Sequence, residues 1–293
     1  MKNILVFGGF GFLGHYLVNE LVKRDHNVTV ADLSVSEKGH KKVTWVHCDI
    51  LDEVAVNRVF ALQKFDIVYN LAGFANLDDA VKHPIMTMQL NVIGNMHILN
   101  ACVAHKIEKF VYASSAYAMS NKGSFYGISK LASEKIIEEY HKKKDLSFII
   151  LRYGSVYSER PYDNNYVYNL VKHAVMEGKI EHRGDGNELR EYIHAADAAR
   201  LSVDVIESNQ FDNLHVILTG SERMKRMELF DMIKEILNDQ IDISYSDAGY
   251  EHHYKFTPYS FEPSVSRKLI ANPHIDMGQG LLECIRAVYK NEQ

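Results

Sequence analysis

The sequence predicts an α/β protein built on a doubly wound parallel sheet, with a smaller, partly interleaved C-terminal lobe. Three observations carry that expectation. Short apolar runs alternate with helical patterns as far as about residue 155. Several of these runs are apolar throughout, as strands covered on both faces must be. Residues 4–14, Ile-Leu-Val-Phe-Gly-Gly-Phe-Gly-Phe-Leu-Gly, then set glycines between a strand and the amphipathic stretch Phe12–Lys23. Such alternation implies right-handed crossovers and a sheet with helices on both faces.

The first strand runs into Gly8, Gly11 and Gly14. A tight strand-to-helix turn of this kind lets backbone N–H groups and a helix N-terminus hold a pyrophosphate. A Cβ there would block the turn and keep phosphates off the backbone. Gly8, Gly11, Phe12 and Leu13 are therefore candidate cofactor contacts. The second strand, residues 27–31, ends at Asp32. A carboxylate at that distance from the loop accepts ribose hydroxyls and repels a 2′-phosphate. Leu33, Ser34 and Val35 supply no arginine for such a phosphate, so NAD is expected rather than NADP.

Further strands are expected at 43–47, 66–70, 109–113 and 147–151, with helices at 52–60, 84–104 and 126–142. Ligands of such a sheet bind beyond the carboxyl ends of its strands. Asp49, Ala72-Gly73, Ser114-Ser115 and Tyr153 all fall there. Regular alternation then fades. Residues 1–157 are read as the cofactor-binding domain, with 190–220 returning to it; 158–189 and 221–293 form the lobe.

Composition removes several classes of function. At 293 residues and 46% hydrophobic content, the chain can bury a large core. A net charge of −5 leaves no basic surface for nucleic acid. Cys48, Cys102 and Cys284 are odd in number and scattered, which fits a reduced, cytoplasmic protein without a disulfide framework or thiolate metal site. Most of the 15 histidines are isolated, and no metal centre is expected. Lys2 precedes an apolar run, but glycines and His15 interrupt it, so it is not a leader. No segment is long enough in apolar residues to span a bilayer.

The chemistry is expected at Ser115, Tyr126 and Lys130. Tyr126-Gly-Ile-Ser-Lys130 places a phenol and an ammonium four residues apart, on one helix face. A free phenol titrates near 10 and needs roughly 4 kcal/mol of help to act as a base at neutral pH. An adjacent ammonium and an oxidised nicotinamide ring would supply charge of the required sign. Ser115 would share a hydrogen bond with the substrate hydroxyl.

At this point the chain resembles the extended short-chain dehydrogenase/reductases, in particular the nucleotide-sugar epimerase and dehydratase group. The resemblance runs over nearly the whole length. Residues 8–14 match the cofactor loop, Asp49-Ile50 the adenine-contacting pair, and Asn70-Leu71-Ala72-Gly73 the segment under the cofactor. His83-Pro84 and Asn91 match the opening of a long helix, and residues 110–116 match the serine strand, which places the catalytic role on Ser115. Residues 151–157 resemble a Leu-Arg-x-x-Asn-Val-Tyr segment. Gly184-Asp185-Gly186 with Arg190-Glu191-Tyr192-Ile193-His194 resembles another, whose arginine contacts sugar-nucleotide phosphates in relatives. The resemblance implies a Rossmann fold, bound NAD, a nucleotide-sugar substrate and a homodimer. It adds Leu71, Asn91, Ser114 and Tyr153 to the cofactor contacts, and Ser155, Arg190, Tyr192 and Arg267 to the substrate contacts.

The departures are specific. Only ten residues separate Ser115 from Tyr126, which shortens a loop near the site. Ser155 replaces the usual Asn, and Ser120 a Gly. The Asp-Glu pair of the 4,6-dehydratases is here Ala116-Tyr117, which argues against dehydration. The expected reaction is oxidation of a sugar hydroxyl, at C4, by an epimerase. A net 4-dehydrogenase or 4-ketoreductase is the second expectation, and a catalytically silent dinucleotide sensor the third.

Overall fold

The structure is a computed structural model that describes residues 1–34, 43–221, 223–246, 255 and 266–291, with backbone alone at 266 and 267. Val35 lies outside the described residues. The strands are β1 (Asn3–Phe7), β2 (Asn27–Asp32), β3 (Thr44–His47), β4 (Ile67–Asn70), β5 (Lys109–Ser115), β6 (Phe148–Tyr153), β7 (Ser155–Tyr157), β8 (Lys179–Arg183), β9 (Leu189–His194), β10 (Leu214–Leu218), β11 (Arg223–Lys225), β12 (Asp242–Ser246) and β13 (Ser266–Leu269). The helices are α1 (Phe12–Lys23), α2 (Glu53–Phe60), α3 (Leu77–Lys82), α4 (Pro84–Met88), α5 (Asn95–Ala104), α6 (Ser124–Lys144), α7 (Tyr166–Glu177), α8 (Ala195–Asp204), α9 (Arg226–Ile236) and α10 (Met277–Asn291).

Eight strands form one sheet in the order β3-β2-β1-β4-β5-β6-β10-β13, and each neighbouring pair is parallel. The order reverses between β1 and β4. That switch point opens a crevice at the carboxyl ends of the strands. The period of two divides the side chains between two layers. Ile4 and Val6 pack with Leu17 and Leu21 of α1 and Leu201 of α8; Leu5 and Phe7 pack with Val59 of α2, Leu99 of α5 and Ile137 of α6.

The stretch read as one helix over 84–104 is α4, a π-helical segment at Gln89–Gly94, and α5. The wider turn puts Asn91 and Gly94 inward, both buried. Such turns recur at functional sites.

The lobe has its own core, where Val171 of α7, Phe230 of α9 and Leu281 of α10 meet Tyr157. Two small sheets, β11-β9-β7 and β12-β8, complete it. One boundary needs correcting. Residues 221–293 were expected to lie wholly in the lobe, yet β13 pairs with β10 in the large sheet, Val216 opposite Arg267. Without it β10, with buried Val216 and Leu218, would present an open apolar edge. Among the described residues, no helix is long and apolar enough to cross a membrane.

Candidate active site and cofactor cleft

The glycine turn is a cradle that side chains would fill. Gly8 has φ +74°, and a Cβ on it would lie 2.6 Å from Ala72 N at the end of β4. A Cβ on Gly14 would overlap Gly8 O and come within 2.8 Å of Gly9 Cα. Gly11 N donates to Gly8 O at 3.2 Å and closes the turn ahead of Phe12, the first residue of α1. Asp32, the last residue of β2, accepts Phe10 N at 3.0 Å and Ser34 N at 3.2 Å. Its carboxylate is thereby fixed beside the loop. Leu13 packs its side chain on the sheet. Across the crevice Asp49 accepts Leu51 N at 2.9 Å, and Ile50 packs under Gly94. A glycine cradle at a helix N-terminus with a carboxylate one strand away fits a dinucleotide.

Asn91, expected at the cofactor, has its side-chain amide hydrogen-bonded within the protein. Oδ1 accepts Phe74 N at 2.7 Å, while Nδ2 donates to Phe74 O at 3.0 Å and to Ser129 Oγ at 2.8 Å. Asn91 is 1% exposed and clamps the Leu71–Gly73 turn, with Gly73 at φ +151° against its Oδ1.

Ser115 ends β5 and caps the 3-10 turn Ala116–Met119, its Oγ accepting Tyr117 N at 3.3 Å. The short connection to α6 works because Gly123 takes φ +93° against the Tyr117 ring. Gly127 also lets the helix close on it, since a Cβ would lie 2.9 Å from Lys122 O. Tyr117 meets Tyr126 edge-on at 6.1 Å. Lys130, one turn along α6, sets its Nζ 5.9 Å from the centre of the Tyr126 ring and 4.9 Å from that of Tyr112, and donates to Ala113 O at 2.8 Å. Lys130 therefore lies beside the Tyr126 ring and is tied to β5 two residues before Ser115. Burial pushes the Lys130 ammonium down to about 8, against the opposing charge of Glu134.

Two more of the expected cofactor residues bond their hydroxyls within the protein. Ser114, expected at the cofactor, donates to Glu134 at 2.5 Å. Tyr153, expected there too, points its ring into the core on the α8 side and shares a 2.7 Å hydrogen bond with Ser202. The two hydroxyls are thus bonded on opposite faces of the sheet, Ser114 toward α6 and Tyr153 toward α8. Glu134 itself is fully buried and forked by Arg152, at 3.0 and 2.6 Å. No role had been expected for either. The i, i+4, i+8 spacing of Tyr126, Lys130 and Glu134 on α6 was the available signal.

The substrate candidates lie on the lobe side. Ser155 of β7 pairs with Tyr192 of β9. Tyr192 lines a small cavity with Tyr157, His194 and Met224. Arg190 is 2% exposed, beside the buried His182–Glu188 pair. Arg267 has its backbone in β13; its side chain lies outside the described residues. Glu159, His194 and Glu283 bring possible ligand atoms within 4.8 Å of one another. His194 Nδ1 accepts Ala196 N at 3.3 Å, leaving Nε2 to face Glu159 at 3.3 Å and Glu283 at 3.7 Å. A ring whose Nδ1 accepts an N–H carries its proton on Nε2, which suits this contact to carboxylates and not a metal.

Comparison with known proteins decides the family. The model of the NAD dependent epimerase/dehydratase family matches residues 4–218. The chain belongs to that family. It is accordingly an NAD-dependent enzyme of the extended short-chain dehydrogenase/reductase type. A protein described as a putative UDP-glucose 4-epimerase from Methanocaldococcus jannaschii is 25% identical over 311 residues, covering 99% of each chain. The crystal structure of UDP-glucose 4-epimerase from Thermotoga maritima, solved with UDP-glucose, matches with a TM-score of 0.83 at 23% identity, over 99% of this chain and 100% of that one. That of the Thermus thermophilus UDP-glucose 4-epimerase, in complex with NAD, matches with a TM-score of 0.81 at 21% identity, over 98% and 99%. At these identities the two structures establish the shared fold of the family.

Proposed function

We propose that this protein epimerises a nucleotide-activated sugar by oxidising and then re-reducing one hydroxyl carbon, C4. The observation that supports the reading is Lys130 beside the Tyr126 ring, hydrogen-bonded to β5 two residues before Ser115, in a chain that also carries the Gly8–Gly14 turn. Bound NAD supplies the acceptor that takes and returns the hydride. Tyr126 accepts the hydroxyl proton as the carbon is oxidised and gives it back on reduction. Ser115 holds the hydroxyl toward Tyr126. Lys130, still mostly protonated at neutral pH, places its charge beside the phenol and favours the phenolate. Gly8, Gly11, Phe12, Leu13 and Asp32 hold the dinucleotide, together with Asp49, Ile50, Leu71, Ala72 and Gly73. Ser155, Arg190, Tyr192 and Arg267 serve the nucleotide sugar.

Ala116 and Tyr117, where dehydratases carry an acid pair, leave no group at that place for eliminating water. The relatives named as UDP-glucose 4-epimerases make UDP-glucose and UDP-galactose the first substrates to try. Incubation with each, followed by NMR of the anomeric protons, should reveal the 4-epimer with no net NADH. Steady accumulation of NADH would instead identify a net dehydrogenase, and inertness across a wide sugar-nucleotide panel would identify a sensor. Tyr126→Phe should lower turnover about 10³-fold while NAD still binds.

A homodimer through α4, α5 and α6 belongs to the same reading. Ile85 is 74% exposed and Ile128 58%, and Met86, Ile93, Phe125 and Leu131 are also exposed. An apolar face of that extent on two neighbouring helices fits an isologous interface.

A further inference from the structure

We infer that Glu134 is a positioning residue of the reaction: its buried carboxylate pins the Tyr126–Lys130 face of α6 to β5 and β6 and sets the balance of charge at Lys130. The inference rests on the reading above, in which Lys130 must carry its proton beside Tyr126.

The geometry is a closed set of contacts. Glu134 follows Lys130 by one turn and Tyr126 by two, so the three side chains share one stripe of α6. Its carboxylate is 0% exposed. From β5, Ser114 Oγ donates to Oε1 at 2.5 Å. From β6, Arg152 donates through Nε to Oε1 at 3.0 Å and through Nη2 to Oε2 at 2.6 Å. From β10, His215 Nδ1 lies 3.4 Å from Oε2, and its Nε2 lies 3.0 Å from Glu138 Oε1, back on α6. Lys135 in turn pairs with Glu138 at 2.8 Å. Ser114 and Arg152 are register neighbours, so the fork also ties β5 to β6 directly behind Ser115.

This arrangement is more than a staple. A buried carboxylate is costly unless opposed by charge and hydrogen bonds. Burial alone would push the Glu134 carboxyl up, but His215, Arg152 and Ser114 outweigh that and hold it down at about 2. Glu134 therefore stays an anion one turn from a lysine that burial drives toward neutrality. Arg152 opposes it with a cation behind the same lysine. The pair sets a field that raises or lowers the proton affinity of Lys130 and Tyr126 together, according to which partner is present.

That field gives opposite signs for opposite substitutions, which lost packing would not. The ionisation of Lys130 can be followed in the NAD-bound protein by NMR of ¹³C-lysine, assigned with Lys130→Met, and compared with the pH profile of kcat. Glu134→Gln should move the Lys130 titration and both limbs of the profile to lower pH, by about one unit or more. Arg152→Gln should move them to higher pH. The double variant Glu134→Gln/Arg152→Gln should return them close to wild type. Should Glu134→Gln fail to fold, Arg152→Gln still tests the sign of the field. Limbs and Lys130 titrations that stay put while rates fall, or that move in one direction for both single variants, overturn the inference. Wild-type turnover on Tyr126→Phe would overturn the proposed function instead, and leave the Lys130 titrations to judge Glu134.

Discussion

Gly14 and Gly178 show how differently one atom weighs at two sites. A methyl at Gly14 meets backbone, Gly8 O and Gly9 Cα, and no rotamer can relieve it. Gly14→Ala should lower stability by roughly 1–3 kcal/mol or more, and should abolish NAD binding in equilibrium dialysis. At Gly178, which caps α7 with φ +68°, the nearest atom to a new Cβ is Gln240 O at 3.9 Å. Gly178→Ala should cost only about 1–2 kcal/mol of backbone strain and leave NAD affinity intact. Glu134 adds a pH signature. Its folded carboxyl titrates at about 2, below the ordinary value of an unfolded glutamate. Its contribution is thus complete above the unfolded value and is lost as pH falls through the folded one. Acid unfolding followed by circular dichroism should therefore be less steep in Glu134→Gln/Arg152→Gln. At this scale the sequence was readable wherever spacing alone placed a group, as for Tyr126 and Lys130. It was silent on the partners of Ser114, Tyr153 and Asn91. Their residue types suit a cofactor, but Glu134, Ser202 and Phe74, distant in sequence, claim the hydrogen bonds.

Among the elements, the segment from α4 through α5 and the exposed side of α6 make the sharpest case. Ile85 and Ile93 in this segment, and Ile128 on α6, remain in water in the single chain. Ile85→Glu combined with Ile128→Glu should leave a 33.5 kDa species in sedimentation velocity, where wild type should run at twice that mass. A wild-type monomer at micromolar concentration would defeat the dimer. Periodicity found the helix but not its π-helical segment, because one extra residue in a turn hardly disturbs an apolar stripe. The strand β13 escaped notice for another reason. Four residues, Ser-Arg-Lys-Leu, carry little apolar signal, and their place is dictated by the edge of β10.

The molecule as a whole divides its labour at the switch point. In the proposed reaction one half of the crevice, from β1, β2 and β4, supplies the cradle; the other, from β5 and α6, supplies the reacting groups. Binding of NAD to the folded state alone should stabilise the protein by about 2.7 kcal/mol at a hundredfold excess over Kd. Thermal melts should therefore rise with added NAD in wild type and in Tyr126→Phe, and stay flat in Gly14→Ala. An unchanged wild-type melt would contradict the assigned cradle. The sheet was legible because buried parallel strands write themselves as apolar runs between helices. The lobe was not, since its short strands β7, β9 and β11 depend on partners from three separate segments.

The placement of β13 has a consequence for synthesis. A ribosome releases β10 long before residues 266–269 emerge, so a nascent chain carries a bare strand flank while the intervening fifty or so residues are translated. That interval is when two unfinished copies can stitch together along the open border.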